Sequence, residues 1–206
     1  MEYQKKERDY EQQQIAERQR KHDEMITGRL DSVAGLLFMD AELEDLPQGL
    51  VKKFNDLDII MGEALYLDGP TGCGKSHALR AFAKHFIRKE IWPVTILNWE
   101  EFLVKLKACY GKEPGKADQL LRYIAEVEIL GIDDLMITGT RESDFSLKTM
   151  YVILNTRIEA RRPTFFASNR PVEDLLYTFD ARILSRVRGC TESIHLTGKD
   201  RRLGGK

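Results

Sequence analysis

One octapeptide constrains this chain more than any other feature. Gly69, Pro70, Thr71, Gly72, Cys73, Gly74, Lys75 and Ser76 follow the apolar run ALYLD (64–68). They precede a stretch in which Leu79, Phe82, Ala83, Phe86 and Ile87 recur on one helical face. A strand, a glycine-rich turn and a helix in that order form a phosphate loop. Glycines let successive backbone N–H groups turn inward around an anion where side chains would block the approach. The first turn of the following helix adds its positive dipole end at the same point. Lys75 brings a mobile cation to the β- and γ-phosphates, and the Ser76 hydroxyl is a ligand for Mg²⁺. These eight residues and the adjoining His77 form the expected nucleotide-contacting set. Cys73 within the loop reads as a small residue that fits.

The rest of the chain alternates strands and helices. VTILN (94–98), VEILGI (127–132), TFFAS (164–168) and TESIHL (191–196) read as four further strands. Phe145 to Glu159 reads as a helix with Met150, Ile153, Leu154 and Ile158 on its apolar stripe. Strands joined by helices imply a parallel sheet with right-handed crossovers. The GKEPG stretch (111–115) reads as the most flexible loop of the core.

Two features complete a candidate site. Asp133 and Asp134 close the apolar run VEILGI, and two charges there are costly to bury. Placed on a strand beside the phosphate-loop strand, Asp133 would face the Mg²⁺ shell, and Asp134 would polarise an attacking water. Asn169 ends TFFASN, where an amide can hydrogen-bond the γ-phosphate or that water.

Charge is uneven although the net is only −1. Residues 157–206 hold 11 basic and 6 acidic groups, against 21 and 27 before them. Either these late cations form a solvated face, or late arginines meet phosphate. Arg182 and Arg186 lie four apart and share a helix face. Residues 1–24 are nearly all polar, whereas Ile26, Leu30, Val33 and Leu37 follow helical spacing. Residues 1–37 are therefore expected to be a helical extension able to bind a partner, and 38–206 a single ATPase domain. No apolar run approaches a membrane span and no leader-like apolar segment opens the chain. The three cysteines (73, 109, 190) are far apart, and the four histidines (22, 77, 85, 195) lack metal-ligand spacing. Together these suit a reducing cytoplasm.

The phosphate loop, IDDL, PTFFASN, ARILSRVRG and HLTGKDRR in this order resemble the AAA+ ATPases of the DnaC/DnaI helicase-loader type, with IstB-type transposition ATPases on the same plan. The resemblance runs over about residues 38–202. It implies a P-loop α/β fold with a five-stranded parallel sheet flanked by helices, an N-terminal helical extension and no large C-terminal lid domain. It implies ATP and Mg²⁺ as cofactors. Lys75 and Ser76 resemble the Walker A pair, and Asp133 and Asp134 the Walker B pair. Asn169 resembles sensor 1. Arg186 resembles an arginine finger acting in trans within a homo-oligomer, with Arg182 second. Arg202 resembles the sensor 2 arginine, although GKDRR leaves Arg201 open as well. The implied partners are a replicative DnaB-type helicase and single-stranded DNA, the latter met by Phe102, Lys105, Lys107, Tyr110 and Lys112. Three other functions share the loop: an ATPase assisting a transposase on DNA, a small-molecule P-loop kinase, and a non-hydrolysing scaffold.

Overall fold

The computed structural model describes residues 40–91, 93–112, 114–135 and 142–198, together with Lys21. Apart from Lys21, the extension 1–37 lies outside the described residues, as do Arg201 and Arg202. Five strands form one sheet: β1 (Ala64–Asp68), β2 (Val94–Asn98), β3 (Ile129–Leu135), β4 (Thr164–Ser168) and β5 (Thr191–His195). Their order is β2-β3-β4-β1-β5, and every pairing is parallel. The helices are α1 (Gln48–Asn55), α2 (Lys75–Arg88), α3 (Trp99–Lys112), α4 (Pro114–Glu126), α5 (Asp144–Glu159), α6 (Leu175–Thr178) and α7 (Ala181–Cys190).

Alternation along the strands divides the interior into two layers. Leu65 and Leu67 of β1 join Phe165 and Ala167 of β4 against α1 and α2. There Phe54 of α1 stacks on Phe82 of α2 with centroids 4.3 Å apart. Tyr66, Ile132 and Phe166 face the other way, into a layer closed by α3, α4, α5 and α7. The sheet is covered on both faces, as an all-parallel sheet requires.

Several expectations need correction. The third strand begins at Ile129 and runs through both aspartates to Leu135, because the ladder to β2 pairs Asn98 with Asp133. It does not lie beside the phosphate-loop strand: β4 separates them. The GKEPG stretch, read as a loop, is helical on either side of Glu113, which lies outside the described residues. Helix α3 continues through Gly111 to Lys112, and α4 opens at Pro114, where a helix's missing first N–H costs nothing. Ile158 leaves the α5 stripe and stays 37% exposed, while Met150, Ile153 and Leu154 are buried. The fifth strand stops at His195, and the Leu196 N–H instead donates to the Asp68 carbonyl at 2.7 Å.

The opening of the core is tied down electrostatically. Glu42 accepts from Lys84 at 2.6 Å and from both terminal nitrogens of Arg88 on α2. The hydrogen bond from Arg88, then that from Lys84, hold the Glu42 carboxyl down at about 2 against the cost of burial. A depressed carboxylate stabilises the fold above its unfolded value of 4.5 and loses that contribution as pH falls towards 2. Glu42→Gln is therefore expected to cost about 1 kcal/mol at pH 7 after solvent screening. Urea unfolding of both proteins should show the gap closing between about pH 4.5 and 2.

Candidate nucleotide-binding site

The C-terminal ends of the strands fall into line because of register. Asp68 sits opposite Ser168 on one side and His195 on the other. Ser168 also sits opposite Leu135, and Asn98 opposite Asp133. The residues that follow each strand therefore meet on one edge. Ser168 fastens this edge, donating to the Leu135 carbonyl at 2.8 Å and accepting from the Arg170 N–H at 3.2 Å. The buried Tyr66 hydroxyl donates to the Arg170 carbonyl at 3.1 Å, and its phenol is pushed up by burial. His195 reaches across to Asp68 at 2.5 Å, directly before the loop.

The phosphate loop fills the turn between β1 and α2. Gly69 (φ 147°) passes so close to the Leu196 carbonyl that a Cβ would lie 2.2 Å from its oxygen. Gly74 (φ 106°) caps α2 in the left-handed region, where side chains are strained. Cys73 is buried beneath the loop, as its size suggested. A recess of 30 Å³ beside it is walled by Leu46, Pro47, Leu50, Leu196 and Thr197. The Lys75 ammonium donates to the carbonyls of Gly69 and Pro70, both at 2.8 Å, so it bridges the loop's own mouth.

Ser76 and Asp133 are 57 residues apart in sequence, yet the Ser76 hydroxyl donates to Asp133 Oδ1 at 2.8 Å. The contact spans the end of β4, which carries Asn169, itself half-buried. Both aspartates lie within a β-bulge of β3 against β4, between Ile132 and Leu135. Asp134 adopts φ 54°, which re-aims its side chain: Asp133 is 8% exposed while Asp134 faces solvent. The Asn98 amide donates to Asp134 Oδ2 at 3.4 Å.

The second Asp133 oxygen belongs to a residue that sequence reading missed. Arg80 Nη1 donates to Asp133 Oδ2 at 2.7 Å and to the Ser76 carbonyl at 3.1 Å. Its spacing of four from Ser76 placed it on the same helix face, a usable signal. Ser76 Oγ and Asp133 Oδ1 are hard oxygens of the kind magnesium takes when phosphates supply the rest of its shell. Among the described residues no group of three or more His, Cys, Asp and Glu could hold a metal by itself.

The late arginines do not share one role. Arg157 is fully buried away from this edge. Arg182 and Arg186 both lie over the ring of Tyr151 on α5. In the α3–α4 region, Phe102 is buried against Trp99 with centroids 5.7 Å apart and cannot stack on a base. Lys107 instead lies over Phe145, with Tyr110 edge-on to the same ring. Lys105 is exposed and pairs loosely with Glu101 at 3.8 Å. No helix among the described residues is long and apolar enough to cross a membrane.

Residues 52–192 match the family described as the bacterial DnaA ATPase domain. The replicative helicase loader DnaI of Bacillus subtilis strain 168 is 26% identical over 168 residues, covering 74% of this chain and 51% of that protein. The chain thus spans about half the length of the curated relatives it matches. A crystal structure of DnaI superposes with a TM-score of 0.65 at 27% identity, covering 79% of this chain and 90% of the other. The crystal structure of the DnaC helicase loader gives a TM-score of 0.69 at 18% identity, covering 79% of this chain and all of the other, and so shares the fold. From the phosphate loop, the five-stranded sheet and the family match over 52–192, the chain belongs to the bacterial DnaA ATPase domain family.

Proposed function

We propose that this ATPase loads a replicative DnaB-type helicase onto single-stranded DNA, using ATP and Mg²⁺ to close an oligomer and hydrolysis to release its cargo. The observation that carries this reading is the 2.8 Å contact between Ser76 and Asp133 at the loop, in a chain whose relatives include proteins named replicative helicase loaders. Backbone N–H groups from Gly69 to His77, Pro70 excepted, and the Lys75 ammonium hold the phosphates. Ser76 and Asp133 hold Mg²⁺, which when bound draws charge from the phosphate oxygens. Asp134, exposed beside Asn98, orients the attacking water, and Asn169 bonds the γ-phosphate from the intervening strand. Arg202, or Arg201 beside it, both outside the described residues, acts as the sensor 2 arginine. Residues 38–206 are the ATPase domain, and the extension 1–37 contacts the helicase. Lys105, Lys107 and Tyr110 contact DNA.

Arg186 is preferred over Arg182 as the finger on charge. Asp180 binds the Arg182 side chain at 2.8 and 3.1 Å while capping α7 through the Arg182 and Ile183 N–H groups. Those bonds hold the Asp180 carboxyl below its ordinary value despite burial, so the Arg182 charge is compensated. Arg186 meets only neutral acceptors in its hydrogen bonds. Arg186→Ala is expected to keep ATP affinity and lose about 1,000-fold in kcat. Mixing it with an Asp134→Asn variant should restore part of the activity. No rescue at any ratio would refute action in trans. Loading itself is tested by co-elution of the protein with a DnaB-type helicase and a single-stranded oligonucleotide. A complex with ATP but not with ADP is expected. Retention of neither helicase nor DNA under ATP would sink the loader reading.

A further inference from the structure

The trans-acting arginine does not hang freely from α7. Arg186 Nη2 donates to the Tyr151 hydroxyl at 2.9 Å and to Asn155 Oδ1 at 3.0 Å. Nη1 donates to the Arg182 carbonyl one turn back at 3.2 Å. The guanidinium carbon lies 4.3 Å from the Tyr151 ring centroid, within range of a cation–π contact. Tyr151 and Asn155 are one turn apart on α5, so a single helix face supplies the ring, the hydroxyl and the amide. Asn155 is held in turn: its Nδ2 donates to Glu159 Oε1 at 2.6 Å, which turns Oδ1 towards the arginine. Arg182 lies over the same ring at 5.3 Å, restricting it further.

We infer that Tyr151 and Asn155 are positioning residues that hold the Arg186 guanidinium in one place for the γ-phosphate bound by a neighbouring copy; the inference rests on the trans reading above. The clamp occupies three of the five guanidinium N–H hydrogens. It leaves one hydrogen on Nη1 and the one on Nε for an incoming phosphate. Every clamping acceptor is neutral, so the cation keeps its charge for the transition state, where an arginine is worth most. A free arginine side chain carries a large rotamer entropy, and immobilising it beforehand removes that cost from the catalytic step.

The test separates the finger's owner from the nucleotide's owner. Lys75→Ala subunits keep a finger but no working phosphate loop; Arg186→Ala subunits keep the loop but no finger. In a mixture, hydrolysis comes only from donor arginines reaching acceptor loops. Adding Tyr151→Ala to the donor is expected to lower kcat about tenfold with KM for ATP unchanged. Asn155→Leu in the donor should act in the same direction, and Tyr151→Phe, which keeps the ring face, should lose less. The same Tyr151→Ala change in the acceptor, whose own Arg186 is already alanine, should change nothing. An equal loss in both arms would make Tyr151 a structural residue and overturn the proposal. So would unchanged or faster hydrolysis with the altered donor. If the parent donor and acceptor fail to complement at all, the trans reading itself falls, a result distinct from failure of the clamp.

Discussion

Lys75→Ala is expected to weaken ATP binding by about 1,000-fold, measured by calorimetric titration of the folded variant. The Lys75 ammonium is bonded to the Gly69 and Pro70 carbonyls at the mouth of the loop. It therefore stands where an anion cradled by the loop amides must come. Removing one partner of a partly desolvated, hydrogen-bonded charge pair costs roughly 2–5 kcal/mol, and about 4 corresponds to three decades in Kd. The loop also loses the two bonds by which Lys75 ties its own ends, which adds an ordering cost to binding. Global stability should hardly move, because the Lys75 side chain is only half-buried and Cys73 still anchors the loop in the apolar layer. Unchanged ATP affinity in this variant would remove the phosphate loop from the site.

The largest loss of stability is expected far from that edge. Arg157 of α5 is 0% exposed and makes five hydrogen bonds. Its Nε donates to the Thr164 hydroxyl at 2.8 Å, and its terminal nitrogens donate to the carbonyls of Ile124, Val127, Glu128 and Pro163 at 2.5 to 3.3 Å. One guanidinium thus joins the end of α4 to the starts of β3 and β4. Burial pushes its pKa down to about 9, still above neutrality, so the group enters the core as a cation. Arg157→Met fills much of the volume but takes the donor from four carbonyls and a hydroxyl, of which the Pro163 carbonyl keeps the Leu130 N–H. The expected cost is about 3–5 kcal/mol in urea unfolding, with the m-value unchanged. Arg157→Lys should recover little, since an ammonium lacks the planar fork that reaches several acceptors at once. ATP affinity per folded molecule should be unchanged. A loss below about 1 kcal/mol would mean that water satisfies those carbonyls as well as the arginine does.

These two residues mark what the sequence made legible. Lys75 could be read because a phosphate loop is contiguous: its glycines, lysine and serine act within eight positions of one another. The five strands could be read because each is a short apolar run bounded by turns or charges. Arg157 was indistinguishable from its neighbours Arg161 and Arg162, because the carbonyls that define it come from residues 124 to 163. The order of the strands was illegible for the same reason, and with it the placing of β4 between the loop and Asp133. Helix α1 was missed because Gly49 and two lysines dilute an eight-residue pattern that Leu50 and Phe54 alone anchor in the core. Phe102 looked available for stacking until α3 was seen to turn it inward beside Trp99. Tyr151 and Asn155 carried no signal at all, since their partner lies about thirty residues away on another helix.

The position of β4 has a mechanical consequence. The strands that carry the loop and Asp133, β1 and β3, stand two interstrand spacings apart, roughly 10 Å, and main-chain ladders on either side of β4 set that width like a caliper. Exchanging surface side chains does not alter that width. Sliding β4 by a single residue would keep the width but turn its side chains to the opposite faces, and Ser168 would no longer meet Leu135. Tolerance to substitution and intolerance to slippage therefore coexist in this edge, and insertions or deletions within β4 should be far more damaging than point changes on its rim.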